Sequence, residues 1–213
     1  MTMDTVGRLK RVGIIPVSTV QNVGSALRLV DALVDGGLPA VEVTLRSDAA
    51  IDAIAAIARE RHDVLLAAGT VLNADQAERA IDAGAQLIVS PGTFPDVVHV
   101  CLERRIPVLP GVATATEVGT ALHLGATVLK FFPAEFCGGV AMLNAFAAVY
   151  PGVHFVPTGG ISASNLRTYL SLPQVLACGG SWLVHPHLVA QEQYNRIVQM
   201  AREAVAIVRE TAT

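Results

Sequence analysis

The sequence has few cysteines, few aromatic residues and no cluster of basic residues. The three cysteines, at 101, 137 and 178, lie far apart without a CxxC pair, which argues against a disulfide framework or a zinc ribbon. The net charge is −3 and no run of Lys or Arg occurs, so nucleic acid and anionic membranes are poor partners. Residues 1–11 lack the apolar region of a signal peptide, and no run reaches the ~18 apolar residues of a membrane helix. These absences predict a cytoplasmic protein.

The composition is instead rich in aliphatic residues. Hydrophobic residues make up 52% of the chain and charged residues only 15%, which excludes a disordered chain. A length of 213 residues fits one large domain, and we expect a single domain over residues 1–213. A chain this apolar, without a membrane segment, is expected to cover part of its surface in an oligomer.

Short β-branched runs alternate with helical patterns at a spacing of roughly 20–25 residues. The runs predict eight strands, at residues 13–19, 40–45, 64–70, 87–91, 107–112, 128–133, 154–158 and 175–179. The segments between them have apolar residues at helical spacing, and a last helix is expected at 192–210. Continuous apolar strands imply burial on both faces and therefore parallel pairing. The alternation predicts an α/β protein, a single (β/α)8 TIM barrel. The rival is an open doubly wound sheet, but no GxGxxG motif follows the first strand.

In such a barrel the active site lies at the carboxyl ends of the strands, so polar residues there are candidates. Lys130 lies in the apolar run VLKFFP, where a charged ammonium is costly and the neutral amine, a nucleophile toward carbonyls, is favoured. Glu42, Thr44 and Arg46 alternate along the second strand and are expected to face the interior. Glu42 is a candidate partner of Lys130 and general acid/base, and Arg46 a candidate carboxylate or phosphate ligand. The alternative is a structural charge cluster.

Glycine pairs follow the seventh and eighth predicted strands. Gly159-Gly160 and Gly179-Gly180 expose backbone N–H groups at neighbouring strand ends, a common phosphate site in barrels. Ser181 adds a hydroxyl group to this site. Thr70 ends the third strand, where it either donates to a ligand or caps the next helix. The six histidines form no set with metal-ligand spacing, so we expect neither a catalytic metal nor another cofactor.

Seven stretches spread along the chain carry the pattern of one known family. They are IPV at 15–17, EVTLR at 42–46, AGTVL at 68–72, SPG at 90–92, KFFPAE at 130–135, TGGIS at 158–162 and GGSW at 179–182. In these motifs the sequence resembles the 2-keto-3-deoxy-6-phosphogluconate / 4-hydroxy-2-oxoglutarate aldolase family. The resemblance implies a metal-free class I aldolase, usually a homotrimer. Such an enzyme cleaves 2-keto-3-deoxy-6-phosphogluconate to pyruvate and glyceraldehyde 3-phosphate, and also acts on 4-hydroxy-2-oxoglutarate.

Carried over by motif, the resemblance implies specific roles for these residues. Lys130 would form the Schiff base and Glu42 would be the general acid/base. The pyruvate carboxylate would contact two residues, Arg46 and Thr70. The remaining substrate contacts would come from the ends of strands four to eight, by Pro91, Phe132, Thr158, Gly159, Gly160, Gly180 and Ser181. The sequence departs from the family pattern at Ser18-Thr19, Phe136-Cys137 and Ala141.

Three other functions fit the same residues. A phosphate-binding barrel isomerase or epimerase would use Glu42 as base and Lys130 as an electrostatic stabiliser. A non-catalytic phosphosugar-binding barrel would tolerate Lys130→Arg with binding kept. A related aldolase for a 2-keto-3-deoxy sugar acid of different stereochemistry would share every feature above. An imine between Lys130 and pyruvate distinguishes the aldolases from the other two.

Overall fold

A computed structural model describes residues 3–211 of the chain, with side chains from Gly7 onward. Its nine strand segments are β1 (Ile14–Ser18), β2 (Ala40–Thr44), β3 (Leu65–Gly69), β4 (Leu87–Val89), β5 (Val108–Leu109), β6 (Gly111–Val112), β7 (Val128–Phe131), β8 (His154–Pro157) and β9 (Cys178–Gly180). Its helices are α1 (Met3–Val12), α2 (Val23–Asp35), α3 (Ala50–Glu60), α4 (Ala74–Asp82), α5 (Pro95–Glu103), α6 (Ala115–His123), α7 (Gly139–Val149), α8 (Leu166–Leu170), α9 (Pro186–Ala190) and α10 (Tyr194–Thr211). Two short 3-10 segments lie at Glu135–Cys137 and Trp182–Val184.

The paired strands of the described residues run parallel. Six pair in the order β5-β4-β3-β2-β1-β9, and three in the order β6-β7-β8. Only Pro110 separates β5 from β6, so one segment belongs to both sheets. On the other side, isolated parallel bridges join Phe155 to Val175 and Thr158 to Gly179. The result is an α/β fold whose parallel sheet curls around a common interior.

Each strand is buried on both faces because helices cover one face and the interior lies on the other. In β3 every residue is buried. Leu66 and Ala68 join the apolar cluster between strands and helices, whereas Leu65 and Ala67 join a separate cluster inside the sheet. This alternation is the period-two geometry of a strand. It explains why the strands have continuous apolar sequences, and the expected parallel pairing is confirmed.

Side-chain caps begin several helices close behind the strand ends. Asn22 and Asn73 each accept a hydrogen bond from the backbone N–H of the third helical residue, at 2.8 and 2.9 Å. Thr114 and Glu117 form a capping box at the start of α6. Thr70 therefore does not cap the next helix, because Asn73 does. In the part of the chain that the structure describes, no helix is long and apolar enough to cross a membrane.

Aliphatic side chains fill the end of the interior at which the strands begin. Ile15, Leu65, Leu109 and Val156 belong to this cluster, and each is at most 3% exposed. Leu9 of α1 packs against them and is fully buried. Burying a side chain of this size contributes about 1.5–3 kcal/mol to stability. The helix α1 therefore covers this end of the interior.

The predicted elements agree with the structure, with shifts at their ends. Each of the eight predicted strand regions overlaps a strand or, at 107–112, two short ones. The strand expected at 175–179 begins later, at Cys178, because Val175 forms only an isolated bridge. The last helix, expected at 192–210, runs instead over Tyr194–Thr211. Helix α1 was not expected from the sequence.

Candidate active site

A cavity of about 300 Å³ opens at the end of the interior where the strands end. Its wall is made by residues from β1, β2, β7 and β9 and from the loops that follow the strands. They are Val17, Glu42, Thr44, Arg46, Thr70, Pro91, Lys130, Phe132, Thr158, Gly159, Gly160, Ile161, Gly179 and Ser181. The fold therefore brings all the predicted site residues except Gly180 to one cavity. Its charged residues are Glu42, Arg46 and Lys130, so the cations outnumber the anion.

Lys130 and Glu42 meet across the interior. β7 and β2 are not neighbours in either sheet, yet Lys130 Nζ lies 3.4 Å from Glu42 Oε1. The two residues are 5% and 3% exposed. Lys130 Nζ also lies 5.2 Å from the centre of the Phe132 ring, a distance within the range of cation–π interactions. A buried amine beside a single carboxylate has a proton acceptor at hand and little water around it.

Gly69 makes room for the Glu42 carboxylate. A Cβ atom at this position would lie 2.1 Å from Glu42 Oε1, closer than any van der Waals contact allows. β2 and β3 are paired so that Gly69 stands opposite Thr44, two residues beyond Glu42. The Glu42 carboxylate therefore occupies the space that Gly69 leaves at the end of β3.

Thr44 holds Arg46 at the rim of the cavity. Arg46 Nε donates to Thr44 Oγ1 at 3.2 Å. The Thr44 hydroxyl, 1% exposed, donates to the Ser18 carbonyl at 3.1 Å and lies 2.8 Å from the Thr19 hydroxyl. Arg46 is exposed, and its guanidinium carries further N–H donors in a fork geometry that suits a carboxylate.

Thr70 has a backbone conformation that side chains rarely adopt. Its φ is 57°, in the left-handed region, although threonine is β-branched. Such a conformation costs about 1–3 kcal/mol and persists where the surrounding structure fixes it, often at functional sites. It brings the half-buried Thr70 onto the wall of the cavity.

The turn after β8 presents its backbone to the cavity. Gly159 and Gly160 have φ values of 96° and 82°, which glycine adopts without strain. Asn165 holds the turn from below, since its Nδ2 donates to the Gly160 carbonyl at 3.0 Å and its Oδ1 accepts from the Ser162 N–H at 2.8 Å. The exposed Ser181 also lines the cavity, just after β9, the strand next to β8. Backbone N–H groups and a hydroxyl of this kind suit a phosphate group.

Of the predicted site residues, Gly180 alone is absent from the cavity wall. A Cβ atom at Gly180 would lie 2.0 Å from the Trp182 ring, so the indole occupies that side of the strand. Gly179 lines the cavity instead. A Cβ atom there would lie 2.3 Å from the Thr158 hydroxyl oxygen, so Gly179 lets β8 and β9 approach closely. Contact of Gly180 with a substrate stays a prediction that this geometry does not support.

Another cavity of similar size lies at the opposite end of the strands, beside α5. It is lined mostly by apolar residues and includes the fully buried Cys101. Burial raises the pKa of the Cys101 thiol to about 12, so the thiol is unreactive near neutral pH. Within residues 3–211, no group of three or more His, Cys, Asp or Glu side chains is arranged to hold a metal ion.

The family model for KDPG and KHG aldolases, the enzymes of 2-keto-3-deoxy-6-phosphogluconate and of 4-hydroxy-2-oxoglutarate, matches residues 6–200. The chain belongs to this aldolase family. It is 49% identical, over 200 residues, to a 2-dehydro-3-deoxy-phosphogluconate aldolase of Treponema pallidum, and the match covers 94% of this chain and 95% of that one. The resemblance drawn from the seven motifs is therefore confirmed.

Two solved structures of KDPG aldolases are similar to the whole fold. One, from Legionella pneumophila, holds pyruvate captured at low pH as a covalent carbinolamine; it is 36% identical, with a TM-score of 0.90 over 93% of this chain and 97% of that one. Another, from Zymomonas mobilis, contains 3-phosphoglycerate; it is 38% identical, with a TM-score of 0.88 over 97% of both chains.

Several residues in or beside this cavity were not selected from the sequence. Val17 of β1 and Ile161, in the loop after β8, are apolar wall residues, and nothing in their residue type distinguishes them from the core. Asn165 acts from outside the cavity, on the turn. Thr44 was expected to face the interior, but the sequence indicated no role for it. Its hydrogen bond to the Ser18 carbonyl exists because β1 and β2 are neighbours in the sheet, and this order is not visible in the sequence.

Proposed function

We propose that this chain is a class I aldolase that cleaves 2-keto-3-deoxy-6-phosphogluconate to pyruvate and glyceraldehyde 3-phosphate through a Schiff base at Lys130. The observation that carries the proposal is the buried amine of Lys130, on the wall of a cavity, with Glu42 Oε1 at 3.4 Å. The names of the relatives support the substrate, and the covalent pyruvate in the Legionella pneumophila structure supports the chemistry.

The reaction begins when Lys130 passes a proton to Glu42 and its neutral amine attacks the keto carbon. The carbinolamine accepts that proton from Glu42 on its oxygen and loses water, which leaves an iminium ion. The Glu42 carboxylate then removes the proton of the hydroxyl group two carbons away. The bond between the hydroxyl-bearing carbon and the methylene breaks, and its electron pair forms the carbon–carbon double bond of an enamine while the C=N π pair moves to the nitrogen. The aldehyde then departs.

The second half of the reaction releases pyruvate. The protonated Glu42 returns its proton to the methylene carbon of the enamine, which forms the iminium ion of pyruvate. Water adds to that ion, and collapse of the carbinolamine frees pyruvate and the Lys130 amine. General acid/base help of this kind contributes about 10²–10⁴-fold to the rate. The same group serves each step because, among the described side chains, Glu42 is the carboxylate that pairs with the lysine.

The two ends of the substrate would bind on opposite sides of Lys130. We assign the pyruvate carboxylate to the Arg46 guanidinium and Thr70, and the apolar contacts to Pro91 and Phe132. The phosphate would bind at the turn after β8 and at the strand end beside it, through Thr158, Gly159, Gly160 and Ser181. We extend the proposal to 4-hydroxy-2-oxoglutarate, which has the same keto and hydroxyl groups and needs no phosphate site.

The test is reduction with borohydride in the presence of pyruvate. The sequence holds two lysines, Lys10 and Lys130, so the modified residue is simple to map by mass spectrometry. We expect inactivation and a single reduced pyruvate adduct on Lys130. Lys10→Arg is the matched control and should leave the adduct unchanged, because Lys10 lies in α1 at the far end of the interior.

Each alternative result has a distinct meaning. Adduct on Lys10 or at the chain terminus in place of Lys130 would contradict the mechanism. Absence of any adduct, with phosphosugar binding kept, would favour an isomerase or a binding protein instead. Cleavage of a stereoisomeric 2-keto-3-deoxy sugar acid in preference to the gluconate would keep the chemistry but change the substrate.

The closed barrel is also a proposal. We propose that the two sheets form one (β/α)8 TIM barrel over a single domain at residues 1–213. The shared segment around Pro110 supports closure on one side, and the bridges Phe155–Val175 and Thr158–Gly179 support it on the other. We also retain the expectation of a cytoplasmic protein.

A homotrimer is the proposed assembly, and the resemblance supplies the number. The outer face of α7 supports an interface, since its exposed residues are mostly apolar and Val149 is 66% exposed. Phe136, just before α7, is 86% exposed. Light scattering should give three times the chain mass, and Phe136→Asp should lower it. A wild-type monomer would contradict the assembly, and an unchanged Phe136→Asp trimer would contradict this interface.

A further inference from the structure

Glu135 supports the Gly160 turn from outside the cavity. A Cβ atom at Gly160 would lie 2.4 Å from Glu135 Cγ and 2.6 Å from its Cβ, so the stem of Glu135 packs directly against the turn. The backbone joins the same two segments, because the Glu135 N–H donates to the Gly159 carbonyl at 3.1 Å. Glu135 does not line the cavity. It is therefore a neighbour of the proposed phosphate site without facing it.

Tyr169 fixes the carboxylate end of Glu135. The Tyr169 hydroxyl donates to Glu135 Oε1, and the tyrosine is 1% exposed. Burial first, and Glu135 second, raises the pKa of Tyr169 well above its ordinary value, so the hydroxyl stays protonated and available as a donor. A buried hydroxyl needs an acceptor, and Gly139 leaves room for this contact: a Cβ atom there would lie 3.0 Å from the Tyr169 oxygen.

The direction of the carboxylate matters for an anionic ligand. A carboxylate that swings toward the turn would repel a phosphate group bound there, because two like charges at close range raise each other's energy. Held on Tyr169, the same carboxylate is directed to a buried hydroxyl, and its stem stays against Gly160. The hydrogen bond thus both supports the turn and keeps a negative charge off the anion site.

We propose that Glu135 and Tyr169 form a positioning pair that sets the affinity of the aldolase for phosphorylated substrates. The pair acts through the Gly159–Gly160 turn and touches no reacting atom. This inference rests on the proposed function, since it assumes that the phosphate binds at that turn. It predicts that the pair affects KM for phosphorylated keto acids and leaves the chemistry at Lys130 unchanged.

Tyr169→Phe is the first test, because it removes only the hydroxyl. We expect KM for 2-keto-3-deoxy-6-phosphogluconate to rise about fivefold, equivalent to about 1 kcal/mol, while kcat stays within about twofold. Exchange of pyruvate methyl protons, followed by NMR, should not change. Tyr150→Phe is the matched control, since the Tyr150 hydroxyl donates to the Ala115 carbonyl at 3.0 Å, away from the turn, and we expect its KM to be that of wild type.

A second substitution distinguishes an electrostatic effect of Glu135 on the phosphate from simple packing of its side chain against the Gly159–Gly160 turn. Glu135→Gln keeps a hydrogen-bond acceptor and removes the charge, so its KM should stay within about twofold of wild type. Added to Tyr169→Phe, it should restore most of the lost affinity, because a freed amide does not repel phosphate. A structural role alone would give no such rescue. If Tyr169→Phe does not fold, Glu135→Ala tests the support by itself, with an expected rise in KM of about threefold.

Three results would overturn the pair. The first is an unchanged KM in Tyr169→Phe, or in Glu135→Ala if Tyr169→Phe does not fold. The second is a double variant whose KM is no lower than that of Tyr169→Phe. The third is a loss of pyruvate proton exchange as large as the loss of affinity for the phosphorylated substrate. The aldolase proposal fails by a different measurement, the absence of a pyruvate adduct on Lys130. Pyruvate carries no phosphate, so this measurement does not depend on the phosphate site. An intact adduct with an unmoved KM therefore rejects the pair and keeps the enzyme.

Discussion

The interior enclosed by the strands has two ends that are lined by the same strands but hold different kinds of side chain. Where the strands begin, it holds a cluster of aliphatic side chains such as Leu65 and Val156, packed against Leu9. Where they end, two or three residues further along the same strands, it holds Glu42, Lys130 and a cavity. Neighbouring positions of one strand thus serve different purposes.

The difference shows where this fold gains stability and where it gives stability up. The aliphatic end contributes through burial alone. At the other end, replacing a buried ion pair by well-packed apolar residues is often neutral or stabilising by about 1–4 kcal/mol. The Lys130–Glu42 pair is therefore not needed to hold the sheet together, which supports a chemical reason for its presence. The predictions below test this division between stability and chemistry.

The largest effect is expected at the aliphatic end, on stability. Leu65→Ala should lower the free energy of unfolding by about 3 kcal/mol, within the usual range of about 2–5, because the packed interior cannot fill the space. At a temperature where the variant is folded, kcat should stay close to that of wild type. Denaturant unfolding and steady-state kinetics measure the two quantities. A large fall in kcat would mean that the two ends are not independent.

Glu42→Gln should act on the chemistry at the other end. We expect kcat to fall about 100-fold, or about 2.7 kcal/mol in the barrier, because the amide transfers no proton. Trapping of pyruvate on Lys130 by borohydride should survive in part, since the nucleophile remains. Turnover within about threefold of wild type would make Glu42 a structural partner of Lys130.

Gly160→Val should separate the phosphate end from the lysine. A branched side chain would collide with Glu135 and cannot adopt the left-handed φ without strain. KM for the phosphorylated keto acid should rise at least about tenfold, about 1.4 kcal/mol, with much less change in pyruvate proton exchange. Equal loss of both would mean that the change disturbs the whole site. Loss of neither would direct attention to 4-hydroxy-2-oxoglutarate as the substrate.

Thr44→Val should give the smallest effect. It keeps the shape of the side chain but removes the acceptor of Arg46 and the donor to the Ser18 carbonyl. We expect KM to rise about threefold, under about 1 kcal/mol, and equally for pyruvate and for the phosphorylated substrate, because both carry the carboxylate. A change confined to the phosphorylated substrate would contradict the assignment of Arg46 to the carboxylate.

Much of this division could be predicted from the sequence, because a buried strand that contains a lysine or a glutamate is unusual. The alternation of Glu42 and Thr44 predicted which side of their strand faces the interior. The apolar run VLKFFP at residues 128–133 singled out Lys130 as a candidate nucleophile. Their 3.4 Å contact could be expected only from the predicted barrel, in which the strands of Glu42 and Lys130 face each other across the interior. The two glycine pairs predicted an anion site, but which glycine of the second pair faces it depends on the Trp182 ring.

Other features depend on contacts that no local pattern encodes. α1 contains Gly7 and few apolar residues, so its sequence does not predict a packed helix. The role of Leu9 becomes visible only in the folded protein, where it packs against the end of the interior at which the strands begin. The Glu135–Tyr169 bond joins positions 34 residues apart through a buried hydroxyl. Thr70 has its positive φ because of its surroundings, which its own residue type disfavours.

The helix α1 also imposes an order of events. Leu9 and its neighbours fill the interior at one end, so the described residues leave the cavity open at its mouth, where Gly160 and Ser181 are exposed and behind which Lys130 is buried. In a dead-end channel the last to arrive is the first to depart. The aldehyde must therefore leave before pyruvate, and in the reverse direction pyruvate must enter first. Free pyruvate then competes with the keto acid for the empty enzyme, whereas the aldehyde meets only an enzyme that already carries pyruvate.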